Sequence, residues 1–176
     1  MKFFKKAPET ERIVKSLNTN NDIYLVPAFT GLGAPYWNAN ARGVLSGITR
    51  DTSPKEIIRA TIEAVAYQTY DLFEAMKHDG LRPKLVKVDG GMVMNNLFSQ
   101  FLSDVVNVNV LRPKVQETTA LGAAFMAGLH IGVYKSLKDI SKKWSLDRKF
   151  KPKMRNQLRN ALVKGWSTAI KRALIV

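Results

Sequence analysis

Val88-Asp89-Gly90-Gly91-Met92-Val93-Met94-Asn95-Asn96 joins a short β-type run, Leu85–Val88, to a helical pattern that opens at Asn96. Two adjacent glycines at a strand-to-helix turn let backbone approach a ligand with no Cβ in the way. Backbone N–H groups there, together with the following helix N-terminus, suit an anion such as a phosphate. Ligands of open α/β sheets bind at this end of the strands. Taken alone, the turn also fits a plain strand–turn–helix joint.

Working outward, short apolar runs alternate with helical patterns. Glu9–Leu17 reads as a helix, Asn18–Asp22 as a polar loop, and Ile23–Val26 as a strand stopped by Pro27. The loop Thr30–Trp37 holds two glycines and a proline, and Val44–Ile48 is the next strand. Ser53 as N-cap, Pro54 at the first helical position and Glu56 three residues past the cap spell a capping box. That helix runs to Gly80 with Ile58, Ile62, Val65, Leu72 and Met76 on one face. Asn96–Val106 is a helix with Leu97, Phe101, Leu102 and Val105 inward, and Val108–Leu111 is a strand ended by Arg112-Pro113. Thr119–Ile131 is a helix rich in small residues. Its Ala120, Ala124 and Gly128 share a face open to close approach. Alternating strands and helices indicate an α/β fold with parallel crossovers. From about Lys153, Met154, Leu158, Leu162, Trp166 and Ile170 form an apolar stripe flanked by Lys and Arg, as in an amphipathic helix docked on a domain.

The chain has 176 residues, one domain's worth, with 45% hydrophobic content. No apolar run approaches the roughly 20 residues of a membrane span. Met1–Lys6 has no signal-peptide apolar stretch. The absence of cysteine excludes disulfides and thiolate metal sites. His78 and His130, far apart in sequence, read as surface or helix-end residues rather than metal ligands. A cytoplasmic location is the expectation. Between Tyr134 and Val176 lie 13 Lys or Arg and two Asp, +11 of the chain's +14. A solvated helix face is the preferred reading of that charge. The rival is salt-dependent binding to nucleic acid or an anionic membrane, but no aromatic residues interleave with the cations as a stacking platform requires.

Four blocks occur in order: Val26–Trp37; Gly43–Ile48 with Glu56–Glu63; Val88–Gly91; and Thr118–Ala124. Together they resemble the FGGY carbohydrate kinases, and the first strongly resembles the glycerol kinases among them. The resemblance runs from about Pro8 to the basic tail. It implies an incomplete actin/hexokinase-like (ribonuclease-H-like) ATPase domain, the C-terminal domain of FGGY kinases, over residues 1–133. A basic helical extension, 134–176, would pack on it. The implied reaction moves the γ-phosphoryl group of ATP to glycerol, giving ADP and glycerol 3-phosphate. Magnesium would neutralise phosphate charge, and an aspartate would accept the hydroxyl proton.

By this resemblance Gly90 and Gly91 fall on glycines that line the nucleotide near its phosphates, and Asn95 falls on a nucleotide-contacting position. Asn95 is also a favoured N-cap where a helix begins, and the two roles are compatible. Asp89 reads as a solvated carboxylate at a strand end, Thr118 or Thr119 as a helix cap, and Arg59 with Glu63 as a surface ion pair. Phe29, Tyr36 and Trp37 either shape a site or pack on the neighbouring strand. The family's base, in a Gly-Asp-Gln motif, and its Gly-Thr-Gly phosphate hairpin have no counterpart in these 176 residues. Asp22, Asp51, Asp71 and Asp104 have ordinary loop or helix-surface readings, so no catalytic residue is assigned. The expectation is a glycerol kinase fragment that is inactive alone and binds ATP or ADP through half a site. It would use glycerol only beside a separate N-terminal kinase polypeptide. A non-catalytic nucleotide-binding remnant is the alternative.

Overall fold

The computed structural model describes residues 4, 6, 8–17 and 19–175. Met1, Lys2, Phe3 and Lys5 of the charged start, and Asn18 of the polar loop, lie outside the described residues.

The first half is helical around one small hairpin-like pair. Helix α1 spans Glu9–Lys15, strands β1 and β2 span Tyr24–Val26 and Val44–Ser46, and helix α2 spans Pro54–His78. β1 and β2 pair antiparallel, Leu25 opposite Leu45. The parallel arrangement expected from strand–helix alternation therefore does not extend to them. No helix crosses between them, and the loop that joins them lets the chain return antiparallel.

At the start of α2 the capping box forms as the sequence pattern requires. The Lys55 N–H donates to the Ser53 hydroxyl at 3.3 Å, and the Ser53 N–H donates to Glu56 at 3.0 Å. The Ser53 hydroxyl also bonds the Glu56 carboxylate and holds its pKa below the ordinary value of 4.5. The buried face of α2 differs from the expected stripe. Ala60, Ala64, Ala66, Tyr67 and Phe73 are buried with Ile58 and Ile62, whereas Val65, Leu72 and Met76 are exposed. α1, α3 and β1 cover α2 from different sides, and its alanines allow that close approach.

The second half is a three-stranded sheet. β3 (Leu85–Lys87) pairs parallel with β4 (Asn109–Pro113) across the helix α3 (Asn96–Val106). α3 ends at Asn107, which takes a left-handed conformation with φ 56°. Helices α4 (Thr118–His130) and α5 (Leu137–Ser141) follow. β5 (Leu146–Phe150) then pairs antiparallel with β4. The sequence pattern placed no strand there. β5 exposes every residue but Phe150, so it carries no apolar alternation to read. Helix α6 spans Asn156–Leu174. Its start falls after Lys153 and Met154 because their N–H groups donate to the Asp104 carboxylate.

The core closes on Tyr67. Its ring stacks on Trp166 of α6 (5.1 Å between centroids, 12° between planes) and meets the edge of Phe101 of α3 at 5.3 Å. It also tilts against Tyr24 of β1 at 5.8 Å. The Trp166 indole N–H donates to Asp71 of α2 at 2.8 Å. Gly165 lets α6 approach, since a Cβ there would collide with the Tyr24 phenol.

Trp166→Ala removes the stack and the bond to Asp71, and should cost about 3–5 kcal/mol in urea unfolding. Trp166→Phe should cost less. Ser53→Ala should cost about 1 kcal/mol at pH 7. Glu56 has its pKa lowered by folding, so its contribution is present above 4.5 and lost as pH falls through the lowered value. The difference between wild type and Ser53→Ala should therefore shrink as unfolding is measured at progressively lower pH below 4.5.

Candidate functional site

The glycine turn is held from several directions. The Val88 N–H donates to the Leu111 carbonyl at 3.1 Å, which carries the β3–β4 ladder to the turn. Gly90 has φ +84°, a conformation strained for any residue with a Cβ. Its N–H donates to the Gln116 carbonyl at 3.1 Å, so it is not open to an anion. Gly91–Met94 form one 3-10 turn between the glycines and α3, a step absent from the sequence reading. Val93 is the buried anchor of that turn. Its carbonyl accepts from the Ser99 hydroxyl at 2.9 Å and from Arg112 at 2.8 Å.

Asn95 is the N-cap of α3, with its side-chain oxygen accepting from the Leu97 and Phe98 N–H groups at 3.0 and 3.1 Å. Its amide nitrogen donates to the Thr10 hydroxyl at 3.4 Å. Glu11 of α1 accepts from the Asn96 N–H at 3.1 Å and from its side chain at 3.3 Å. Between α1, α2 and the turn lies a cavity of about 410 Å³. Gly91, Asn95, Thr10 and Glu11 line it with the apolar Pro8, Ile62, Met92 and Met94. A Cβ on Gly91 would meet nothing within 4 Å, so packing inside this chain does not require glycine at that position. No Lys or Arg lines the cavity among the described residues. Its chemistry fits a flat, largely apolar group with a hydrogen-bonding edge better than a bare anion.

Arg112 fixes this arrangement and was read from the sequence only as a strand end. Its guanidinium is buried, donates to the Val93 and Met94 carbonyls and to the Asn96 side chain, and pairs with Asp147 at 2.7 Å. An arginine inside the otherwise uncharged strand Asn109–Pro113 was the available signal.

Other expectations are corrected. Arg59 and Glu63 are not a surface pair. They meet at 2.6 Å with side chains 17% and 5% exposed, and Arg59 also donates to the Leu17 carbonyl beyond α1. Burial pushes the Glu63 pKa up against the pull of Arg59. Neither threonine side chain caps α4, because the Thr118 hydroxyl bonds the exposed Asp89 instead. Asp104 is buried under three donors, from Gln100, Lys153 and Met154. Asp71 is partly buried between Trp166 and Tyr36, and desolvation raises its pKa despite those two bonds. Phe29 and Trp37 are 79% and 80% exposed, the Phe29 ring lying beside Gly43 just before β2, and neither lines the cavity.

The model of the FGGY family of carbohydrate kinases, C-terminal domain, matches residues 4–131. The chain belongs to the FGGY family of carbohydrate kinases. Glycerol kinase 1 of Pseudomonas aeruginosa is 51% identical over 172 residues, covering 98% of this chain and 35% of that protein. Glycerol kinase of Plasmodium falciparum, solved with ADP, superposes with TM-score 0.84 at 33% identity, over 98% of this chain and 35% of that one. Gluconate kinase of Lactobacillus acidophilus gives TM-score 0.76 at 22% identity, over 97% and 35%, and supports the fold alone. The architecture is thus the actin/hexokinase-like α/β fold of the FGGY C-terminal domain. The chain spans about a third of the length of the curated relatives it matches. Among the described residues no helix is long and apolar enough to cross a membrane.

Arg112→Ala leaves the buried Val93 carbonyl with one donor fewer and should destabilise the chain by about 1–3 kcal/mol. Hydrogen exchange should show the loss first at residues 91–98, ahead of the α2 core.

Proposed function

We infer that this chain provides the nucleotide-binding part of an ATP-dependent glycerol kinase, for the reaction of ATP and glycerol to ADP and glycerol 3-phosphate. The observation that carries the reading is the cavity beside Gly91 and Asn95, set in a chain half identical to a glycerol kinase. ADP bound to the Plasmodium falciparum relative supports a nucleotide as the ligand.

In this reading the adenine ring enters between Met92, Met94 and Ile62, and the Asn95 amide group addresses its edge. Gly91 keeps the backbone low enough for the sugar and phosphates to pass, and Gly90 makes the turn. The phosphates run outward, away from Glu11. Magnesium, by family resemblance, would be held by the nucleotide's phosphates and would offset their charge, since no cluster of acidic or histidine ligands lies among the described residues. The chain's own task is to bind and orient the nucleotide. No carboxylate is assigned as base. Asp89 is engaged with Thr118, and Glu11 with Asn96. By itself the chain should therefore bind ADP weakly and leave glycerol unchanged. A separate polypeptide carrying the family's N-terminal part would supply the glycerol pocket and the base. A cytoplasmic location accords with a reaction that draws on ATP.

Calorimetry with ADP tests the site. Gly91→Val should fold with unchanged thermal stability and lose ADP binding at least about tenfold. Asn95→Ser retains a cap oxygen but lacks the amide donor, so it too should lose affinity while keeping α3 intact. Unchanged ADP binding in both variants would remove the nucleotide from this cavity. Glycerol phosphorylation by the purified chain alone would overturn the division of labour.

A further inference from the structure

Folding divides the basic tail in two. The cations of α6 stand on a helix whose Trp166, Ala169, Ile170 and Ala173 are already buried, so most of its apolar face is taken up by the core. Residues 131–149 are different. They carry six Lys or Arg against two Asp. Among these charges Ile131, Val133 and Leu137 are 73%, 65% and 64% exposed. Single exposed apolar residues are ordinary. Three large aliphatic side chains within a seven-residue stretch, each mostly in water, form a patch suited to another surface.

The patch is held in place. α4 stops before Gly132, which takes φ +79°. The Tyr134 N–H donates back to the Gly128 carbonyl at 3.2 Å, and the Tyr134 ring packs on Gly128 and meets Phe125 edge-on at 5.5 Å. The Ser136 hydroxyl then caps α5, accepting from the Asp139 N–H at 3.2 Å. Val133 and Tyr134 share one open depression of about 560 Å³ with Lys135, Asp139, Lys142 and Lys143. Asp139 pairs with Lys142 at 3.4 Å. Lys135, Lys138 and Lys143 have no carboxylate partner among the described residues. Uncompensated ammonium groups therefore stand beside exposed aliphatic side chains.

We propose that residues 131–143 form a peripheral docking surface for the anionic phospholipids of a bilayer face. Ile131, Val133 and Leu137 enter the boundary between headgroups and acyl chains, and the lysines meet the headgroup charge around the depression. A neutral bilayer suits the aliphatic side chains but not the lysines. Nucleic acid suits the lysines but leaves the aliphatic side chains in water. It also finds no free aromatic to stack on, since Tyr134 is packed on Gly128 and Trp144 lies under the Lys87 ammonium at 4.3 Å. No residue lines both this depression and the cavity at Gly91 and Asn95, so the surface does not depend on the kinase reading.

The test is co-sedimentation of the purified chain with vesicles at about 0.15 M salt, where exposed charges are screened beyond about 8 Å. Vesicles of phosphatidylcholine with phosphatidylserine should carry the chain down, and vesicles of phosphatidylcholine alone should not. Lys135→Glu with Lys143→Glu should weaken partition at least about tenfold. Lys164→Glu with Lys171→Glu makes the same change of charge on α6 and should weaken it less than about threefold. Ile131→Ser with Val133→Ser should weaken it about tenfold. Each pair replaces exposed side chains and should leave thermal unfolding unchanged. Failure to bind the anionic vesicles would overturn the proposal. So would equal losses from the two lysine pairs, the mark of undirected charge attraction. Binding indifferent to Ile131→Ser with Val133→Ser overturns it too, and tighter binding to a DNA duplex with that same indifference assigns the surface to nucleic acid instead.

Discussion

The stack of Tyr67 on Trp166 joins segments about 100 residues apart, and most of the core is arranged around it. Tyr67 stands on α2, Trp166 on α6, Phe101 on α3 and Tyr24 on β1, so one aromatic cluster ties four elements together. Two features make the stack possible. Gly165 removes the side chain that would keep α6 away from Tyr24, and Asp71 accepts the indole proton that burial would otherwise leave unpaired. The carboxylate is partly desolvated in exchange, and its raised pKa records that cost. The basic tail is therefore structural on one side. Trp166, Ala169, Ile170 and Ala173 face the core, and Lys164, Lys171 and Arg172 take the side left to water.

The glycine turn sits at the far end of the same core, and its rigidity is borrowed from it. Ser99 and Arg112 converge on the Val93 carbonyl, while Asn95 and Glu11 close the first turn of α3. Four side chains from α1, α3, β4 and the turn itself thus hold a stretch with little apolar packing of its own. The polar groups are satisfied within the chain, which leaves the cavity walls apolar and the recognition to a few amide and hydroxyl positions. A site built this way discriminates by shape and hydrogen-bond pattern more than by charge.

Features encoded over a few neighbouring residues were legible in the sequence. The Ser53–Glu56 capping box, the Asn95 cap, the strand-to-helix turn at Gly90 and the α3 core positions each depend on local spacing. What was misread depends on residues far apart. β5 is a strand because β4 offers it an edge, and its Leu-Asp-Arg-Lys-Phe sequence carries no period-2 signal. Arg59 and Glu63 have the spacing of a surface pair, but α1 and the Leu17 carbonyl lie over them. Arg112 looks like a strand terminus until the 3-10 turn is placed beside it. The exposed Phe29 and Trp37 show the opposite error, apolar residues that the described chain does not cover.

Exposed apolar residues occur in both halves of the molecule, but they are arranged differently. Around Tyr67 each helix buries one face in the aromatic cluster, although α2 also leaves Val65, Leu72 and Met76 exposed. Around α4 the rule fails: the helix is as apolar as a core helix and is as exposed as a surface one. A conflict of that kind between local composition and environment is resolved in folded proteins by another surface. On α4 it runs along the helix, whose start adjoins the end of β3 at the glycine turn. The glycine turn, the open β3 edge and α4 share the segment 85–130. The Asp89–Thr118 bond and the Gly90 N–H to Gln116 tie the start of α4 to the turn, so the position of α4 and the conformation of the glycines are set together.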